Sequence, residues 1–229
     1  MSMASNTSPV ISIDVIEDSA PVRHQLRQWI KRMKAVTLVA EYTSYADALA
    51  GLEHYAPELL IMEIALRGGH GLEVLRKIRL NYPDTRILVL SEKDECLYAE
   101  RALRVGAHGY LMKPCTGKIF TQAVTALLAD RLYVSPVIEK KILNDIACQD
   151  ERPAVEPDKI LSNRELEIFV KIGQGCKSSV IAEQFGLSLK TVETHRTHIK
   201  RKLGTRSAHE LRQQATDWVT QWTTNTVKV

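Results

Sequence analysis

The sequence lacks most of what announces a membrane, secreted or catalytic protein. No apolar run among its 229 residues approaches the roughly 20 needed to cross a bilayer. The opening MSMASNTSP has no positive charge ahead of an apolar core, so no secretory signal is read there and a cytoplasmic protein is expected. Four cysteines (Cys96, Cys115, Cys148, Cys176) lie far apart without a C-x-x-C pair, which argues against a zinc site and against a disulfide framework. A P-loop is missing, and no insertion builds a substrate pocket, so an enzyme of phosphoryl transfer or hydrolysis is a remote reading.

Net charge is also small, +4, but it is unevenly placed. Residues 1–150 carry 18 Lys/Arg against 18 Asp/Glu, whereas residues 151–229 carry 13 against 9. The whole excess lies in the C-terminal third, as a nucleic-acid partner for that part would require. The polar segment CQDERPAVEPD (148–158) holds two prolines and no apolar period, and reads as a linker. Before it, short apolar runs alternate five times with amphipathic stretches, from VISIDVI and VRHQLRQWIKRM to GYLMK and KIFTQAVTALL. That alternation predicts an α/β domain with a doubly wound, five-stranded parallel sheet; after the linker only helical patterns remain. The expected plan is a tail (1–9), an α/β domain (10–130), a linker with a helix (131–157), a small all-α domain (158–222) and a second tail (223–229).

Four of the five strands end in polar residues. LLIM (59–62), apolar throughout like a strand buried on both faces, runs into Glu63. Strand one ends in Glu17 and Asp18, strand four in Ser91, and strand five in Lys113 and Pro114; strand two contributes nothing comparable. In an open parallel sheet these ends share the edge where ligands bind. Alone, Ser91 reads as a turn residue and Lys113 as a solvated cation, but joint placement on four strands points to a site. Adjacent carboxylates suit Mg²⁺, while a lysine and a hydroxyl suit phosphoryl oxygens. His70 and His108 stand alone in loops and read as surface histidines.

Residues 10–130 resemble a bacterial response-regulator receiver domain, carried by Glu17–Asp18, LLIME, SEK (91–93) and GAHGYLMKP (106–114). The resemblance implies that Glu17, Asp18 and the residue at position 63 hold Mg²⁺. It also implies that Ser91 and Lys113 contact phosphate, and that the rotamer of Tyr110 reports phosphorylation by a histidine kinase. The phosphoacceptor position should be aspartate and is Glu63. One extra methylene displaces the carboxylate by about a bond length, and in-line attack tolerates about 1 Å of misplacement badly. Arg67 and His70 in the following loop, and Asp14 inside strand one, depart from the family pattern too. Three readings of Glu63 stay open: a phosphoryl mimic reaching Ser91 and Lys113, an inert partner of Lys113, or an inefficient phosphoacceptor.

In the C-terminal part, Ser162 and Glu165 have capping-box spacing, and Leu166, Phe169, Val170 and Ile172 form an apolar face ended by Gly175. SSVIAEQFG should turn Val180, Ile181 and Phe185 inward. The turn GLSL then leads to a longer helix with Val192, Ile199 and Leu203 inside, which is helix-turn-helix geometry. The pattern LSNRELEIF…IAEQFGLSLKTVETHRTHIKRKLG resembles the LuxR-type DNA-binding domain over residues 158–222. That resemblance places Glu193, Thr194 and Thr197 facing bases, and Lys190, Thr191, Arg196 and Lys202 facing phosphates; Lys200 joins the same basic surface. Leu211, Trp218 and Trp222 on the last helix are candidates for a dimer contact. The combination resembles the NarL/FixJ type of response regulator: a homodimer binding double-stranded promoter DNA, with no membrane partner and with a histidine kinase or another protein as regulator. The rival class is a protein-interaction module or anti-activator using the helix-turn-helix domain as a partner surface.

Overall fold

The computed structural model describes residues 10–66, 70–147 and 157–226, so Arg67, Cys148 and most of the polar segment before residue 158 lie outside the described residues. The chain divides into a unit ending at Lys140 and one beginning at Lys141.

The first unit alternates β1 (Ile11–Ile16), α1 (Ala20–Lys31), β2 (Val36–Tyr42), α2 (Tyr45–Leu52), β3 (Leu59–Met62), α3 (Gly71–Asn81), β4 (Arg86–Ser91), α4 (Glu95–Arg104), β5 (Gly109–Met112) and α5 (Gly117–Leu128). The strands pair in the order β2-β1-β3-β4-β5, all parallel, which is the doubly wound sheet expected. β3 is buried at every position, as its unbroken apolar run required. One face of the sheet gives Ile13, Val15, Ile61 and Leu88 to a core closed by Leu26 and Ile30 of α1 and by Phe120 and Val124 of α5. Helix α6 (Pro136–Ala147) lies in the stretch expected to link the domains; its Ile138 is buried, and Ser135 just before it donates to Glu95 Oε1 of α4 at 2.8 Å.

Asp14, the polar residue inside β1, has a structural task. The β1–β2 register slips between Ile13 and Asp14, so that Ile13 pairs with Leu38 and Asp14 with Ala40. The buried carboxylate mends the irregularity by accepting from the Ala40 amide (3.1 Å) and the Tyr42 hydroxyl (3.3 Å). Burial outweighs these two bonds and raises its pKa.

The second unit is helical among its described residues: α7 (Pro157–Ile160), α8 (Asn163–Gly173), α9 (Ser178–Phe185), α10 (Leu189–Leu203) and α11 (Ala208–Thr226). The Ser162–Glu165 capping box forms at the start of α8. Leu166, Phe169, Ile172, Ile181, Val192 and Ile199 make the core, with Phe185 and Leu203 packed on it. Gly173 lets α11 approach closely, since a Cβ there would meet the Ala215 carbonyl oxygen at 2.4 Å. The turn between α9 and α10 passes through Gly186 at φ 62°, a left-handed conformation that glycine adopts without a Cβ clash. Val180 does not turn inward: it is 38% exposed, because Ile181 and Ala182 already fill that side of a two-turn helix.

Candidate functional site

At the C-terminal edge of the sheet, Glu17, Glu63, Ser91 and Lys113 converge. Lys113 Nζ donates to Glu17 Oε2 at 2.5 Å and to Glu63 Oε2 at 2.8 Å, bridging residues 50 and 96 positions away in sequence. Glu63 Oε1 accepts from the Ser91 hydroxyl in a short bond and from the Ala65 amide at 2.7 Å; Oε2 also accepts from the Glu92 amide at 3.3 Å. Glu17 Oε1 accepts from the Ser19 amide at 3.0 Å. Burial pushes the Glu17 carboxyl up; the hydrogen bonds from Lys113 and Ser19 oppose this without overcoming it. Burial pulls the Lys113 ammonium down, but its bonds to Glu17 and Glu63 win and its pKa rises.

Tyr110 is 1% exposed, with its ring inside the domain and its hydroxyl donating to the Lys93 carbonyl at 2.7 Å. Burial drives the pKa of that hydroxyl far upward.

Two supporting residues carried no motif signal. Arg23, in the first turn of α1, donates to the carbonyls of Glu17 and Asp18, each at 2.8 Å, and so holds the acidic loop. The Tyr45 hydroxyl donates to the Glu63 carbonyl at 3.0 Å and receives the Leu66 amide at 3.4 Å. Tyr45 reaches this edge only through the tertiary fold, whereas Arg23 lies six and five residues from its two acceptors.

The residues expected to hold Mg²⁺ do not form a cation cage. Glu17 and Glu63 give every carboxylate oxygen to Lys113, Ser91 or a backbone amide, and Asp18 is exposed. Among the described residues no group of three His, Cys, Asp or Glu side chains is arranged to hold a metal. Lys113 supplies the positive charge that a divalent ion would bring, so the donor set fits an ion-paired triad instead. His108 also departs from expectation. It is half-buried, its Nδ1 accepts from the Ile87 amide at 3.0 Å, and burial together with Arg79 and Arg86 lowers its pKa.

On the second unit, α10 exposes Lys190, Glu193, Thr194, Thr197 and Arg201, with Thr191 and Lys200 half-exposed. Thr194 and Thr197 hydroxyls donate to the carbonyls of Lys190 and Glu193, both at 3.0 Å, which holds the side chains along the helix. Two residues expected to face phosphate have other engagements. Lys202 Nζ donates to Glu165 Oε2 at 2.6 Å, tying the end of α10 to the capping box of α8. Arg196 is buried to 9% exposure, 3.6 Å from the Glu193 carboxylate.

The dimer candidates need revision as well. Leu211 is fully buried in the helical core, because the apolar stripe of α11 faces α8. Trp218 packs on Phe169 with ring centroids 5.8 Å apart, and Trp222 stacks on Trp218 at 6.1 Å.

Known proteins agree with this division. Residues 13–125 match the response regulator receiver domain, and residues 159–215 match the luxR family of bacterial regulatory proteins. The oxygen regulatory protein NreC of Staphylococcus aureus is 33% identical over 205 residues, covering 88% of this chain and 94% of NreC. Among solved structures, the RcsB response regulator of Salmonella typhimurium superposes with a TM-score of 0.63 at 19% identity, over 92% of this chain and 99% of that one. RcsB in complex with DNA superposes with a TM-score of 0.56, also at 19% identity, over 91% and 98% of the two chains. A receiver sheet with its polar edge, a helix-turn-helix unit and a relative aligned through both place this chain among the response regulators of the NarL/FixJ type, DNA-binding transcription factors that join a receiver domain to a LuxR-type domain.

Proposed function

We propose that this regulator is sequence-specific and that Glu63 itself holds its receiver in an active-like arrangement, without phosphorylation. The observation that carries the reading is the span of the Glu63 carboxylate, with one oxygen on Ser91 and the other on Lys113. Those are the hydroxyl and the cation that a phosphoryl group on a shorter aspartate would engage, and the extra methylene carries a carboxylate to them. The inward ring of Tyr110 is the companion feature. Binding of promoter DNA by wild type and by Glu63→Ala, with and without acetyl phosphate and Mg²⁺, tests the reading. Wild type should ignore the phosphodonor, and Glu63→Ala should bind on the order of tenfold more weakly, the scale of a typical allosteric coupling. Unchanged affinity in Glu63→Ala, or a stoichiometric acyl phosphate on Glu63 by intact-mass measurement, would refute it.

For the DNA contact, α10 is the reading helix. Glu193, Thr194 and Thr197 meet base edges, while Lys190, Thr191 and Lys200 meet phosphates. A carboxylate at 193 accepts from cytosine N4, and the Thr197 methyl suits a thymine methyl. Thr197→Ala should therefore change preference at one base pair, with affinity for other sites unaltered. RcsB has been solved as dimers bound to DNA, which supports a homodimer here. Trp222 is the surviving candidate of the three for that contact.

A further inference from the structure

We propose that the receiver unit binds a small aromatic cation in a half-open cleft beside the ion-paired triad of Glu17, Glu63 and Lys113. The cleft, of about 490 Å³, lies between α1 and the ends of β4 and β5. Its size is that of a small-ligand pocket. Trp29 and Val22 of α1 form one wall, and Leu90, Pro114 and Cys115 the other. Trp29 is braced from behind by Phe120, with ring centroids 5.2 Å apart.

Three polar residues complete the lining: Gln25, Glu92 and Lys113. Lys113 is committed to Glu17 and Glu63, so its charge is already matched. The Glu92 side chain is exposed and makes no ion pair among the described residues, although its backbone amide donates to Glu63. The unmatched charge of the cleft is therefore negative, and its walls are aromatic and apolar. A planar ring carrying an ammonium group fits both features, with the ring on the Trp29 indole and the cation toward Glu92. An anion would meet Glu92 and find no uncommitted cation. A ligand here would press directly on Lys113, the residue that bridges the two carboxylates.

Calorimetric titration of the full chain with tryptamine, indole and indole-3-acetate tests this. Tryptamine should bind saturably with a Kd on the order of 1 mM, as suits a fragment of its size. Indole should bind about tenfold more weakly, the range of a lost ion pair or cation–π contact, and indole-3-acetate not measurably. The exposed Glu92→Gln change should leave the melting temperature intact and abolish the preference for tryptamine over indole. Trp29→Ala, checked for its fold by circular dichroism, should lose both ligands. The proposal fails if tryptamine does not saturate below about 10 mM, ten times that expected Kd. It fails equally if the three probes bind alike, or if Glu92→Gln keeps the discrimination. It also fails if Trp29→Ala abolishes self-association that no probe affects, since the cleft would then belong to a second copy of the chain.

Discussion

Both units of this molecule set a late lysine against an early carboxylate, and the two pairs behave in opposite ways. In the receiver, Lys113 is shared by Glu17 and Glu63, and burial keeps the Glu17 pKa raised. In the helical unit, Lys202 serves Glu165 alone, and burial loses to the bonds from Lys202 and Ser162, so the Glu165 pKa falls. Glu165 also sits in the first turn of α8, where helix amide groups favour negative charge. One cation between two buried carboxylates leaves a site short of positive charge. A one-to-one pair at a helix start is satisfied. The first arrangement can respond to a small electrostatic change; the second is a clasp.

The largest expected break in this contrast is Lys113→Met. Removing the shared cation strands two buried carboxylates and should cost the receiver about 3 kcal/mol in urea unfolding. The raised Glu17 pKa sets the sign of the pH effect. Its contribution is present below the unfolded value and is lost as pH rises through the folded one, so the variant should recover stability on acidification.

Lys202→Ala is the matching change in the other unit. It should cost about 1 kcal/mol in thermal unfolding, since Lys202 remains one-third exposed and its pair is partly screened. The salt slope of DNA binding should hardly move, whereas Lys190→Ala should lower it by about one phosphate contact. A full unit of slope lost in Lys202→Ala would return that residue to the DNA face.

The smallest effect sharpens the contrast through pH. Glu165, with its lowered pKa, contributes stability above its ordinary value of 4.5 and loses it as pH falls through the folded value. Unfolding of the helical unit, followed by Trp218 fluorescence, should therefore weaken toward pH 3, and Glu165→Gln should flatten that dependence.

Much of the architecture was legible because hydrophobic period reports directly on burial. The all-apolar β3, the five strand–helix alternations and the Ser162–Glu165 box all take the form their residues predict. Local sequence stops short where a side chain has two credible destinations. Lys202 and Arg196 are basic residues on a basic helix, and nothing local distinguishes a phosphate partner from Glu165 or a buried seat. Leu211 and Trp218 belong to a stripe that fits a dimer and a domain core equally well in sequence; the short approach at Gly173 decides for the core. Asp14 stood out as polar in an apolar strand, but its reason, a slipped register against β2, exists only in the paired sheet.

By itself the sequence determined that a parallel sheet would carry Glu17, Glu63, Ser91 and Lys113 to one edge and that a basic helix would follow a tight turn. These follow from short unbroken apolar runs, from the 3.6-residue period of the helices and from turn chemistry, which are local properties. The tertiary structure alone decided that Lys113 would stand between the two glutamates where Mg²⁺ was expected, and that the Tyr45 hydroxyl would hold the backbone of Glu63. The reason is distance along the chain: an ion pair across 96 residues depends on where strands one and five come to rest, and no window of sequence contains both.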